Sequence, residues 1–129
     1  MIDPDSDLAR MKEAGIKQVY VISPYKHEQE TIMETRYFAA LGACGEMIVE
    51  GFLVLSVIVH CHPIAHHFDL PRGHEYWEAY DDSFITKWAE AGYVLCFNDW
   101  SKSKGVKKDI GVFAKAHKPV YYSNHYDIP

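Results

Sequence analysis

Short β-rich apolar runs alternate with helix-length segments along the whole chain, and that order leaves few folds open. Gln18-Val-Tyr-Val-Ile-Ser23 reads as a strand ended by Pro24, and Glu28 to Glu50 reads as a long helix with one apolar face. Gly51 closes that helix and residues 52–58 follow directly as a second strand, so the three elements describe a right-handed βαβ unit. Gly42 and Gly45 inside the helix are expected to let it pack closely on the sheet. A loop from His60 to Arg72 then leads to a helix from Gly73 to about Ala91, with Gly92 marking its end. The strand Tyr93–Phe97, a helix over about 104–116 and the strand Pro119–Tyr122 complete the series. Upstream, Asp5 or Ser6 caps a short helix to about Ala14, closed by Gly15, so residues 1–16 form an N-terminal helical extension of one domain spanning 1–129. The expected fold is α/β, a flavodoxin-like (Rossmann-like) three-layer sandwich with a parallel sheet of four to five strands. Such sheets bind ligands at the carboxyl ends of their strands, which directs attention to loops 23–28, 57–73 and 98–104.

At 129 residues, 48% hydrophobic, the chain has ample material for a core. Its formal charge of −5 provides no basic field to track a phosphodiester backbone, so polymeric nucleic acid is not an expected partner. The apolar run Phe52–Val59 is far shorter than the ~20 residues a membrane-spanning helix needs, and no membrane partner is expected. The acidic start Met1-Ile-Asp-Pro-Asp-Ser-Asp-Leu8 lacks the basic character of an export signal. With Cys44, Cys61 and Cys96 odd in number and in apolar contexts, reduced thiols and a cytoplasmic setting are expected.

The segment Tyr93 to Asp109 carries the strongest chemical signal. A buried strand runs into Asn98-Asp-Trp-Ser-Lys-Ser-Lys-Gly105 and then into a helix. The first backbone N–H groups of a helix have no partner inside it, and they sit at the positive end of the helix dipole. A strand–Ser-x-Gly–helix junction therefore cradles an anion, with Trp100, Ser101, Ser103 and Gly105 placed to line it. Asp109 lies six residues after Ser103, about a turn and a half along the helix, and is placed to face the same crevice. A carboxylate beside an anion site suggests a nucleotide.

Four pieces in this order resemble the nucleoside 2-deoxyribosyltransferase-like superfamily, most closely its small bacterial and phage branch. They are Val19-Tyr-Val-Ile-Ser-Pro-Tyr-Lys-His27, Ser56-Val-Ile-Val-His-Cys-His-Pro-Ile-Ala65, Tyr76-Trp-x-x-Tyr-Asp81, and Asp99-Trp-x-x-Ser-x-Gly-Val-x-x-Asp109. The resemblance implies cleavage of the N-glycosidic bond of a nucleoside or nucleotide, by hydrolysis or by transfer of the sugar to another base. It implies Asp109 as nucleophile, Tyr20 as the tyrosine that holds it, and Asp81 as the acid on the base side. Ser103 takes the place of a phosphate-binding serine, which favours a nucleoside 5′-monophosphate. It also implies a homodimer or higher homo-oligomer, for which Trp77, Tyr80 and Phe84 offer aromatic contacts. One position departs from the pattern, which has Glu where this chain has Asp109. The lost methylene retracts the carboxylate by about an ångström, a displacement worth ~10²-fold in rate.

Around that core, Ser23, Pro24, Tyr25 and His27 are expected to border the pocket, with Tyr25 and His27 against the base. His60 and His62 are expected to shape the ligand-facing loop after the second strand, His66 and His67 to be exposed, and Arg36 to form a structural ion pair. The cluster His60-Cys-His-Pro-Ile-Ala-His-His67 matches no standard Cys/His ligand spacing, so neither a metal nor a cofactor is expected. Two other readings stand beside the enzyme: a non-catalytic nucleotide binder, favoured by the shorter Asp109, and an interaction protein with a vestigial pocket.

Overall fold

The computed structural model describes residues 2–129. Along them run α1 (Asp7–Glu13), β1 (Gln18–Ile22), α2 (Glu30–Val49), β2 (Leu53–Ser56), α3 (Val57–Phe68), α4 (His74–Lys87), β3 (Ala91–Cys96), α5 (Lys104–Lys115) and β4 (Val120–His125), with a single 3₁₀ turn at Trp100–Lys102. The four strands form one sheet in the order β2-β1-β3-β4, every neighbouring pair parallel. The fold is the expected flavodoxin-like three-layer sandwich.

Side chains alternate across a strand, and β1 shows the result directly. Val19 and Val21 join Met11 of α1 and Ala40, Cys44 and Met47 of α2 in a core on one face of the sheet. Tyr20 and Ile22 point the other way, into a second core with Cys61 of α3, Ile85 of α4 and Val106 and Phe113 of α5. Each face is covered by helices, which is how a parallel sheet buries both sides.

Several boundaries differ from the sequence reading. The second strand stops at Ser56, whose hydroxyl accepts from the Val59 N–H at 3.2 Å and caps α3. The expected loop from His60 to Arg72 is therefore mostly helix, with Pro63 inside it and Asp69 closing it in the left-handed region at φ 55°. Helix α4 ends at Lys87, and Gly92, read as its terminator, lies within β3. A β-carbon at Gly92 would stand 2.9 Å from the Phe113 ring and 3.1 Å from Ile22, so glycine there permits close packing of α5 on the sheet. Strand β4 runs on past Tyr122 to His125, and Ser123 Oγ accepts from the Cys96 N–H at 2.9 Å across a register irregularity. Gly42 and Gly45 do not face the sheet. They lie on the outward side of α2 with open space where a β-carbon would sit, beside the exposed Phe38, Leu41 and Ile48.

Candidate active site

A cavity of ≈ 770 Å³ opens over the carboxyl ends of the strands. It lies where the chain order reverses, since β2 flanks β1 on one side and β3 flanks it on the other. The volume suits a ligand of nucleotide size.

At its floor, Tyr20 of β1 and Asp109 of α5 meet. The Tyr20 hydroxyl donates to Asp109 Oδ2 at 3.4 Å, joining residues 89 positions apart. The contact follows from two periodicities. Tyr20 belongs to the β1 face that looks toward α5, and Val106, Asp109 and Phe113 form the buried i, i+3, i+7 stripe of that helix. Phe113 also packs on the Tyr20 ring, centroids 5.9 Å apart. Asp81 of α4 lines the same cavity, and its Oδ1 is buried with no hydrogen-bond partner among the described residues.

Both carboxyls are pushed well above the ordinary carboxylate range. Burial, then the neighbouring Asp109 and Asp82, push Asp81 up to about 8. Burial raises Asp109 to about 7, with Lys108 and the Tyr20 hydrogen bond acting in the opposite direction. Lys108 itself is held between Glu78 at 2.9 Å and Asp82 at 3.1 Å. Burial, followed by repulsion from Asp109, also keeps the Tyr20 phenol well above its ordinary range, so it remains a donor. Near neutral pH the pair thus readily keeps a proton, and acid-assisted nucleophilic displacement requires such a pair.

This arrangement has a measurable cost. Both carboxyls keep their protons in the folded chain at pH values where the unfolded chain has released them, so the stability they contribute is full near pH 4 and is lost as pH rises through 7 to 8. Asp81→Asn removes one titration, so its urea midpoint is expected to gain on the wild type between pH 5 and 8.5. A gap of the same size at both pH values contradicts the assignment.

Ser103 caps α5, its Oγ accepting from the Val106 N–H at 3.3 Å, which leaves its hydroxyl proton free to donate into the cavity. Gly105 follows one residue into the helix, and a β-carbon there would come within 3.3 Å of His74 Cβ, so the first turns of α4 and α5 adjoin. Ser23, Pro24, Tyr25, His27 and His62 all line the cavity as well, and the buried Ser23 Oγ has no partner among the described residues.

His60, Trp100 and Ser101 do not. Because the segment after β2 is helical, His60 projects to the surface and stacks on Tyr80, centroids 6.0 Å apart. Trp100 packs against the second core and against Tyr122 at 5.4 Å, and Ser101 is exposed on the 3₁₀ turn. Of the three aromatics assigned to a subunit contact, Trp77 lines the cavity and Phe84 packs on the second core, while Tyr80 is exposed. Among the described residues Arg36 pairs with no acidic side chain. It donates to the carbonyl oxygens of Tyr25 and Lys26 at 3.2 and 3.1 Å and to the Pro129 oxygen at 2.8 Å, bracing the loop after β1.

Arg72 and His74 also line the cavity and were missed in the sequence. The available signal was position: Arg72-Gly-His74 precedes and opens a helix at the end of the sheet where ligands bind. Arg72 donates to Glu30 at 3.0 Å and lies 3.3 Å from His66 Nδ1. Glu30, Glu34 and His66 bring potential metal-ligating atoms within 4.8 Å of one another, but the Arg72 guanidinium already supplies positive charge there. His66 and His67 are exposed.

Fold and cavity define an open, parallel α/β protein with a ligand-sized cleft and paired carboxyls at the topological switch point. Residues 17–125 match the model of a family described as Domain of unknown function (DUF1937), and the chain belongs to that family. Among curated proteins, none matches the chain. Among the described residues, no helix is long and apolar enough to cross a membrane.

Proposed function

We propose that this protein binds a nucleoside 5′-monophosphate and cleaves or transfers its N-glycosidic bond, as the sequence resemblance to nucleoside 2-deoxyribosyltransferase-like proteins implies. The observation that carries the proposal is the floor of the cavity, where a buried Asp109, hydrogen-bonded by Tyr20, shares the pocket with Asp81, whose carboxyl is raised mainly by burial. Asp109 attacks the anomeric carbon, Asp81 gives its proton to the departing base, and water or a second base then resolves the glycosyl–enzyme ester. Ser103 and the first turn of α5 hold the 5′-phosphate. A second reading, a binder that does not cleave, is favoured by one observation: the carboxylate is a methylene shorter than the pattern it resembles.

The three cysteines are free and buried, which supports a reducing, cytoplasmic setting. A homo-oligomer belongs to the same reading, supported by the exposed apolar face of α2.

The test is incubation with matched nucleosides and 5′-monophosphates, measuring free base, together with calorimetry. Monophosphates are expected to bind about tenfold or more tightly than the corresponding nucleosides. Ser103→Ala is expected to remove most of that advantage while leaving nucleoside affinity unchanged. Equal affinity with and without phosphate contradicts the assignment.

A further inference from the structure

The strand order separates the two ends of the cavity. Helix α5, with its Ser103 cap, follows β3, whereas α3 follows β2, and β1 lies between those strands. On the α3 side the wall is apolar, made by Val57, Ile58, Cys61 and Ala65, and it suits the face of a nucleobase. Tyr25 and His62 form the polar edge of that wall.

Those two side chains are tied together. The Tyr25 hydroxyl hydrogen-bonds to His62 Nδ1, and the other ring nitrogen, Nε2, lies 3.8 Å from Glu34 Oε1. Tyr37 stacks on the imidazole at 4.3 Å and 24°, and the Arg36 guanidinium fixes the backbone of Tyr25, so the pair is held from both sides.

A neutral imidazole has one N–H and one bare nitrogen. At 3.8 Å the Glu34 carboxylate is beyond hydrogen-bond range, but its charge favours the proton on Nε2, which leaves Nδ1 to accept from Tyr25. Burial lowers the His62 pKa, an effect reinforced by Arg72 and His66 and opposed by Glu34 and Glu30, so the ring is neutral near pH 7. The Tyr25 phenol is pushed up to about 12, mainly by burial, and stays protonated. With that proton committed to His62, the Tyr25 oxygen offers only lone pairs to the cavity.

We propose that Tyr25, oriented by Glu34 through His62, selects nucleobases whose edge carries an exocyclic amino group over those with an oxo group in its place. An amino group donates to the Tyr25 oxygen, whereas an oxo group sets two acceptors against each other and leaves both without a donor. The inference rests on the nucleotide reading above and specifies which nucleotides that site takes.

The experiment is calorimetry with AMP against IMP and CMP against UMP, pairs in which one amino group is replaced by oxo. It is run on the wild type with product analysis and on Asp109→Asn, whose amide removes the nucleophile. In whichever pair binds, the amino member is expected to bind about ten- to a hundredfold more tightly. Tyr25→Phe offers neither donor nor acceptor and is expected to bring the ratio to about one. Glu34→Gln, which releases the imidazole proton to either nitrogen, is expected to narrow it. Equal affinities in the wild type, preference for the oxo member, or a ratio that survives Tyr25→Phe overturns the inference and leaves the nucleotide reading intact. No binding of any of the four overturns the inference, and the nucleotide reading is then decided by base release and stabilisation with the remaining ribo- and deoxyribonucleotides.

Discussion

Asp109→Asn is expected to lower release of free base from nucleoside 5′-monophosphates by roughly 10⁴-fold, the scale of removing a nucleophile, while nucleotide binding persists. The asparagine keeps the shape of the side chain and an oxygen that accepts from Tyr20, but it carries no charge with which to attack. Asp109→Glu separates reach from charge. Restoring the methylene is expected to leave turnover equal or raise it by up to about 10²-fold, because near-attack geometry is sensitive to displacements of an ångström. Product analysis by chromatography, with thermal shift in parallel, reads all three proteins. A wild type that is stabilised by nucleotides yet releases no base establishes the binder. If it is neither stabilised nor active, both nucleotide readings fail and the interaction protein with a vestigial pocket stands.

The largest expected effect on stability comes from Phe113. Its ring is fully buried, packs on Tyr20 and lies over the glycine of β3. Truncation to alanine removes a large apolar contact and leaves a cavity between helix and sheet, so Phe113→Ala is expected to cost about 3–5 kcal/mol. Equilibrium urea denaturation checks it, and a loss under 1 kcal/mol contradicts the packing described. The same variant is expected to weaken catalysis beyond its effect on folding, because Asp109 lies one turn before Phe113 on the same helical stripe.

The architecture was legible because it rests on two simple periods. Alternation in Val19-Tyr-Val-Ile22 divides the core between the faces of the sheet, and the spacing of Val106, Asp109 and Phe113 defines the buried side of α5. The start of α5 was legible too, since a serine two residues before a glycine after a strand marks a strand–helix junction, though the capping role of Ser103 was not read from it. The junction of β2 and α3 was not. Ser56 ends the strand and caps the helix with no intervening turn, while the β-branched run continues into the helix and Pro63 imitates a break. That error carried His60 into the expected pocket. Gly92 misled for a related reason, because a glycine that admits a neighbouring ring is written identically to one that ends a helix. The Tyr25–His62–Glu34 arrangement draws on a loop and two helices, so its geometry depends on how each helix is rotated about its axis, which no local pattern records.

The missing side chain at position 92 bears on the length of the side chain at position 109. With only hydrogen on that Cα, α5 seats against β3 at the distance set by the Phe113 ring. The stand-off between helix and sheet therefore sets how far the side chain at position 109 reaches toward Tyr20. A helix held away by a β-carbon at position 92 would widen that gap. Positions 92 and 109 are in this sense coupled, and a change at either is best judged by the gap it leaves at the other.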